Sequence, residues 1–185
     1  MKKVLILSSS PIPSGNSGML CDEFARGARE AGHEVTRVDI SEKKINFCTG
    51  CEVCVQTGEG CVQKDDMAEL IAQMHEADVW VLATPIYFMS VSAQLKVLID
   101  RFIAGEGYVR NSSGKQAYFI TVSASPDVDT NHLAANESFR GFLRCLRTVE
   151  EAGILNAGGA YAPGNIQEKG QDFLRQAYEM GKAIK

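Results

Sequence analysis

Residues 7–20 read LSSSPIPSGNSGML. The run holds five Ser, one Asn and two Gly, and no Lys, Arg, Asp or Glu. It follows a short apolar run, Val4–Leu7, that reads as a strand buried on both faces. It precedes a helical pattern in which Leu20, Phe24, Ala28 and Ala31 share one face and Gly32 is the stop. Ordinary strand-to-helix loops run roughly 2–6 residues. This one is longer and richer in donors. Backbone N–H groups, hydroxyls and the positive end of the following helix can together hold one anionic group, and a phosphate monoester fits. The competing reading is a polar turn with a good N-cap. No Gly-Lys-Ser/Thr follows, as a triphosphate loop needs, and the Gly-x-Gly-x-x-Gly pattern of dinucleotide sites is absent. The loop has no Cys–Arg pair for a phosphatase and no acidic cluster for a receiver domain. Binding of a mononucleotide phosphate is what remains.

Outward from this loop, the chain alternates. Strands are expected at Glu34–Ile40, 78–84 (DVWVLAT), 116–123 (QAYFITVS) and Ile154–Ala162. Helix stripes recur at Met67, Leu70, Ile71 and Met74, at Leu95–Ile103, at Phe139–Val149 (closed by Gly153), and at Leu174, Ala177 and Tyr178. Gly105 and Gly107 end the Leu95 helix. Five strands alternating with five helices give a doubly wound α/β fold with a five-stranded parallel sheet. The least apolar strands are the second and fifth, which places them at the edges of the order 2-1-3-4-5. The switch point then lies between strands one and three. The serine loop and Pro85-Ile86-Tyr87-Phe88 would form one crevice there, with the loop after strand four as its third edge.

The 185 residues suit a single domain, 1–185, and 45% hydrophobic with 23% charged residues is ordinary for a folded chain. A net charge of −4 gives no support for nucleic-acid binding. The leading apolar run is too short for a signal or a membrane span, so a cytoplasmic location is expected and the six Cys are read as thiols, ligands or redox groups.

Four of the Cys fall in the insertion after strand two, residues 41–64, where no regular element is expected. Cys48, Cys51, Cys54 and Cys61 have the spacing C-x2-C-x2-C-x6-C. Three close thiolates can converge on one soft metal centre, and Gly58 and Gly60 let the chain turn to bring in the fourth. This is near the four-thiolate ligation of [4Fe–4S] clusters. A four-thiolate zinc site and metal-free thiols are the alternatives. Cys21 and Cys145 lie within helix patterns and are expected in the core. Asp65-Asp66 reads as a capped helix start, and His33, His75 and His132 are scattered, with none assigned to catalysis.

Ser8–Leu20, Thr84–Phe88 (TPIYF), Leu95-Lys96 and Asp100-Arg101 together resemble the flavodoxin-like NAD(P)H-dependent FMN reductases, and Cys48–Met67 is similar to their iron–sulfur flavoproteins. The resemblance covers nearly the whole chain. It implies that Ser10, Asn16 and Ser17 hold the FMN phosphate, with Ser8, Ser14 and Gly15 in the same loop. It implies that Pro85, Ile86, Tyr87 and Phe88 line the isoalloxazine ring and that Ser123, Ala124, Ser125 and Pro126 border its other side. It implies [4Fe–4S] ligation by the four Cys, and a homodimer or homotetramer to which the wide Leu95–Ile103 stripe would contribute. The expected activity is electron transfer from NAD(P)H to a small acceptor such as a quinone or flavin. The alternative is an electron carrier serving ferredoxin-type protein partners.

Overall fold

A computed structural model describes all residues, Met1–Lys185. Five strands, β1 (Lys3–Ser8), β2 (Glu34–Asp39), β3 (Val79–Pro85), β4 (Lys115–Val122) and β5 (Val149–Ala157), form one sheet in the order β2-β1-β3-β4-β5. Every pairing is parallel. The architecture is the flavodoxin-like one expected, and the two least apolar strands stand at its edges.

Alternation along the central strands feeds two cores. Leu5, Leu7, Trp80, Leu82 and Phe119 face one layer, packed against α3 (Met67–Glu76), α4 (Ala93–Arg101) and α7 (Leu133–Leu146). Val4, Ile6, Val81, Ala83 and Ile120 face the other, packed against α1 (Asn16–Glu30) and α9 (Gln171–Lys182). Polar groups inside these layers close off helix ends. Trp80 Nε1 donates to Met74 O at 2.9 Å, and the buried Lys115 Nζ donates to the carbonyls of His75 and Ala77. Both serve the carbonyls left open where α3 stops.

Three boundaries differ from expectation. The fourth long helix ends at Leu146, where Arg147 takes a left-handed φ of 66°, so Val149 begins β5 instead of completing a helix stripe. Gly153 lies inside β5, next to a register shift opposite Ala117 and Tyr118. A Cβ there would come within 3.2 Å of the Tyr118 ring. Gly105 does not stop the chain's helicity but leads from a 3₁₀ turn, Phe102–Ala104, into α5 (Glu106–Arg110). The insertion contains a 3₁₀ turn at Ile40–Glu42 and a short helix α2 (Val53–Thr57). Short helices α6 (Val128–Asn131) and α8 (Asn165–Lys169) occupy two loops. Cys21 is buried as expected, but Cys145 is exposed.

α1 and α9 meet through reciprocal glycines. A Cβ at Gly27 would fall 2.0 Å from Tyr178 O, and one at Gly181 would fall 2.1 Å from Phe24 O. Glycine inside a helix costs about 0.5–1 kcal/mol relative to alanine, so close approach of the two backbones is the reason it stands at both positions. Gly27→Ala is therefore expected to lower stability by roughly 1–3 kcal/mol despite its better helix propensity. Gly107→Ala, with open space around it, is expected not to lower it. Urea unfolding of the two variants checks this.

Candidate functional site

The carboxyl ends of β1, β3, β4 and β5 open onto a cleft of about 280 Å³. From the serine loop it takes Ser10, Gly15, Asn16 and Ser17; from the end of β3 and the loop after it, Pro85, Ile86 and Tyr87; from the loop after β4, Ser123 and Ala124. These expected residues are thus brought together. Others stand off the wall. Ser8 is buried, its hydroxyl without a partner. Ser14 and Phe88 are turned to solvent. Ser125 and Pro126 lie behind Ser123, whose hydroxyl donates to Ser125 O at 2.7 Å. Ile12, Val122, Ala160, Tyr161 and Pro163 also line the cleft and were missed. The last three were hidden because the fifth strand was expected too late in the chain. Its true end at Ala157 makes residues 160–163 a loop at the sheet's carboxyl edge.

The floor of the cleft at β1 is a helix start left open. Gly15 precedes α1 in extended conformation, no side chain caps the helix, and its first turn has no acidic residue. The first-turn N–H groups therefore face the cleft without an intrahelical partner. The loop is braced from behind. Ser10 Oγ donates to Ile12 O at 3.0 Å, and Arg37 Nη2 donates to Pro13 O at 2.7 Å while its guanidinium pairs with Asp22 and Asp39. Gly18 is forced, since a Cβ would lie 1.8 Å from Pro13 O. Asn16 lines the cleft, but its side chain is engaged elsewhere. Nδ2 donates to Ala162 O at 2.9 Å and Ala160 O at 3.3 Å, and Oδ1 accepts from Ile166 N at 3.1 Å. It sews the loop after β5 to α1, which leaves its backbone N–H to serve an anion.

Opposite, Ile86 N donates to Val122 O at 2.7 Å. The chain then makes a tight turn in which Tyr87 and Ser90 exchange backbone hydrogen bonds of 3.0 Å. Phe88 and Met89 hold left-handed φ of 48° and 61° at its tip, a conformation that costs bulky residues on the order of 1–2 kcal/mol each. A buried chain fixes this loop to the serine loop: Ser92 Oγ donates to Ser9 Oγ at 2.9 Å, and Ser9 Oγ lies 2.9 Å from Ala83 O. At the third edge, buried His132 stands between Ser123 and Thr121. Because the Ser123 hydroxyl donates to Ser125 O, His132 Nε2–H donates to Ser123 Oγ (2.8 Å), while Nδ1 lies 2.6 Å from Thr121 Oγ1, whose hydroxyl also meets Asn156 Oδ1 at 2.7 Å. Burial pushes this imidazole below its usual range, against a smaller opposing effect of the Asn156 hydrogen bond.

A second hollow, largely apolar, lies on the insertion. Cys48, Cys51, Cys54 and Cys61 all line it, with Arg101 and Ile103. No three His, Cys, Asp or Glu side chains stand close enough to hold a single ion. A four-iron cluster spreads its thiolates around a larger core. The loop reaches this shape through left-handed backbone at Gly50, Glu52, Gly58 and Gly60. The N–H of Val53 and the Thr49 hydroxyl hold the Cys51 thiol below its usual range, whereas burial raises that of Cys54.

Both ends of the loop are clamped by one ion pair. Arg101 reaches the Asp65 carboxylate with two bonds of 2.7 and 3.0 Å, and the side chains are 1% and 4% exposed. Arg101 Nη1 also donates to Asn46 O at 2.6 Å, and Nη2 to Cys61 Sγ at 3.4 Å. Asp65 Oδ1 accepts from Met67 N at 3.2 Å in a local turn, but the cap position of α3 is Asp66, whose side chain makes no capping bond, and the guanidinium is the main partner of Asp65. The Arg101 hydrogen bonds hold the Asp65 carboxyl down at about 2.

The strand order and the open cleft at its switch point define a flavodoxin-like α/β protein with its candidate ligand site at the carboxyl edge of the sheet. The profile of the NADPH-dependent FMN reductase family matches residues 2–150. An iron-sulfur flavoprotein of Archaeoglobus fulgidus is 37% identical over 185 residues, covering 100% of this chain and 79% of that one. An FMN-dependent NADH:quinone oxidoreductase of Yersinia pestis is 30% identical over 184 residues, 88% of this chain and 90% of that one. Among solved structures, the NAD(P)H:quinone oxidoreductase from Methanothermobacter marburgensis superposes with a TM-score of 0.73 at 20% identity, over 98% of this chain and 96% of that one. The chain belongs to the NADPH-dependent FMN reductase family, within its iron–sulfur flavoprotein subgroup, and is an oxidoreductase. No helix is long and apolar enough to cross a membrane.

The Asp65 carboxyl gives a pH signature. Its folded value, about 2, lies below the ordinary 3.8, so the stabilisation is fully present above pH ~4 and is lost as pH falls toward 2. The expected loss is about 2 kcal/mol. Urea titrations at stepped pH should show this slope in the metal-free protein, and it should be absent in Asp65→Asn.

Proposed function

We propose that this chain uses FMN to pass electrons from NAD(P)H to a small acceptor such as a quinone or free flavin. The observation that carries this reading is the uncapped start of α1 facing a cleft whose lining has no charged side chain. Backbone N–H groups of Asn16 and Ser17, with the hydroxyl of Ser17, would hold the phosphate, while the Gly15 N–H and the Ser10 hydroxyl both donate to Ile12 O and shape the loop around it. Pro85, Ile86 and half-exposed Tyr87 would lie along the ring, with Phe88 at the rim, and Ser123 and Ala124 would border its other side. Bound FMN supplies hydride and single-electron chemistry. The protein's part is to hold the phosphate by dipoles, exclude water from one ring face and leave the other open to substrate. No side chain is needed as acid or base.

The four thiols of Cys48, Cys51, Cys54 and Cys61 are a soft donor set on one apolar wall, and the buried Arg101 beside them has an Nε–H with no partner. Those features fit an electron-rich [4Fe–4S] group better than empty thiols. They also favour a second reading, in which the chain relays electrons between protein partners such as a ferredoxin. Phe47, Val55, Val62 and Ile103 leave apolar surface exposed around this region, which supports assembly into a homodimer or homotetramer.

Anaerobic purification is expected to give a yellow protein that contains iron and acid-labile sulfide. Zinc in place of iron, or neither, rejects the cluster. Flavin bands that bleach within seconds of adding NADPH or NADH support the reductase. Inertness to both nucleotides, with fast reduction by reduced ferredoxin, supports the relay instead. Light scattering is expected to return at least twice the 20.1 kDa chain mass. A monomeric mass rejects the assembly.

A further inference from the structure

We propose that Arg101 is a positioning residue that tunes the reduction potential of the redox group held by the four thiols, acting through Cys61. The inference rests on the reading of these Cys as cluster ligands.

Arg101 is fully buried, yet only part of its guanidinium is engaged by the fold. Nη1 and Nη2 grip Asp65 and Asn46 O, while Nη2 also points at Cys61 Sγ, 3.4 Å away. Nε is buried with no partner. A buried N–H without an acceptor is destabilising by about 1–3 kcal/mol. The part of the guanidinium that reaches the wall of the hollow is Nη2, through its bond to Cys61 Sγ. Leucine or methionine at this position could pack on the same wall. A cation there has one further property, because it favours whichever state of its neighbour is more negative.

The step concerned is a one-electron reduction in which no bond is made or broken. One electron enters the cluster, from reduced flavin or ferredoxin in the protein's own chemistry and from dithionite in a titration. The cluster becomes one charge more negative, so a fixed cation and N–H···S donors stabilise the reduced form more than the oxidised one and raise the potential. Asp65 works against this, since its carboxylate lies on the same guanidinium and weakens the field reaching the sulfur. Removing either partner loosens the same clamp between residues 46 and 65. The two substitutions nevertheless act on the cluster with opposite sign.

The test is a dithionite titration of the full-length, anaerobically purified protein, monitored by cluster absorbance and EPR, with iron and sulfide counted. Arg101→Gln is expected to lower the midpoint by at least a tenfold change in the reduced-to-oxidised ratio, 59 mV for a one-electron couple. Arg101→Lys, which keeps the charge, should lie closer to the parent. Asp65→Asn should move the midpoint upward. Unchanged midpoints in cluster-bearing Arg101→Gln, or shifts of Arg101→Gln and Asp65→Asn in the same direction, overturn the role of Arg101 while leaving the cluster in place. Absence of iron and sulfide from the parent protein itself overturns the ligand reading and this inference with it. If Arg101→Gln does not fold, Asp65→Asn decides alone: a midpoint at or below the parent's rejects the proposal.

Discussion

The first-turn N–H groups of α1 have no partner within the chain, and much of the cleft's construction follows from leaving them so. A helix start that faces water loses little by being uncapped. This one faces a cleft, and no Ser, Thr, Asp or Asn side chain is folded back onto it. The surrounding hydroxyls are instead committed to shaping the walls. Ser9 and Ser92 bind each other, Ser10 braces its own loop, and Ser123 is held between His132 and Ser125 O. The loops are thereby rigid before any ligand arrives, while the helix end remains available. That division suits a group held by dipoles in a charge-poor site, because no ordering remains to be done on binding.

The insertion is organised by a different force. It has almost no regular structure and little apolar mass, so hydrophobic burial cannot hold it. A buried bidentate ion pair does so, flanked by the Lys44–Asp66 bonds and by Gln63 Nε2, which donates to Phe47 O. Asp65 accepts from Asn46 N and Met67 N as well as from Arg101, and Arg101 reaches Asn46 O. Both strands of the loop's neck and the end of α4 are therefore tied at one point. A buried pair of this kind is stable only when its remaining lone pairs and protons are satisfied. Asp65 meets that condition and Arg101 Nε does not.

Most of the fold was legible because the strands announce themselves. Val4–Leu7 and Val79–Ala83 are apolar at consecutive positions, which only a strand covered on both faces tolerates, and the poorer strands sort to the edges. The serine loop was legible by length and by what it lacks. Arg147 was not, since nothing in an arginine marks a left-handed turn. Reading past it carried the fourth helix into β5 and hid Ala160, Tyr161 and Pro163 from the site. Asn16 looked like an anion ligand because a side chain's partner 144 or 146 residues away cannot be read from spacing. Asp65 was expected to cap α3, but Asp66 stands at the cap position without a side-chain bond, and the bond from Asp65 to Arg101 is a tertiary contact across 36 residues. His132 carried no signal either, as its neighbours Thr121 and Ser123 gather around it only when β4 and the start of α7 pack.

The two sites differ in what the protein offers an electron-rich guest. Around the cleft the field comes from backbone dipoles, and the nearby cation, Arg37, is turned to the back of the loop and neutralised by two aspartates. Such a field acts on the charge nearest the helix end and fades over the rest of a bound molecule. Beside the cysteines the source is a whole guanidinium with a carboxylate on one side. The pair acts as a dipole whose positive end is near Cys61, and its influence falls off faster than that of a free cation. Of the four sulfurs, only Cys61 Sγ lies within hydrogen-bonding reach of it. Negative charge placed in that hollow would be stabilised most on the side that faces Cys61 and α4.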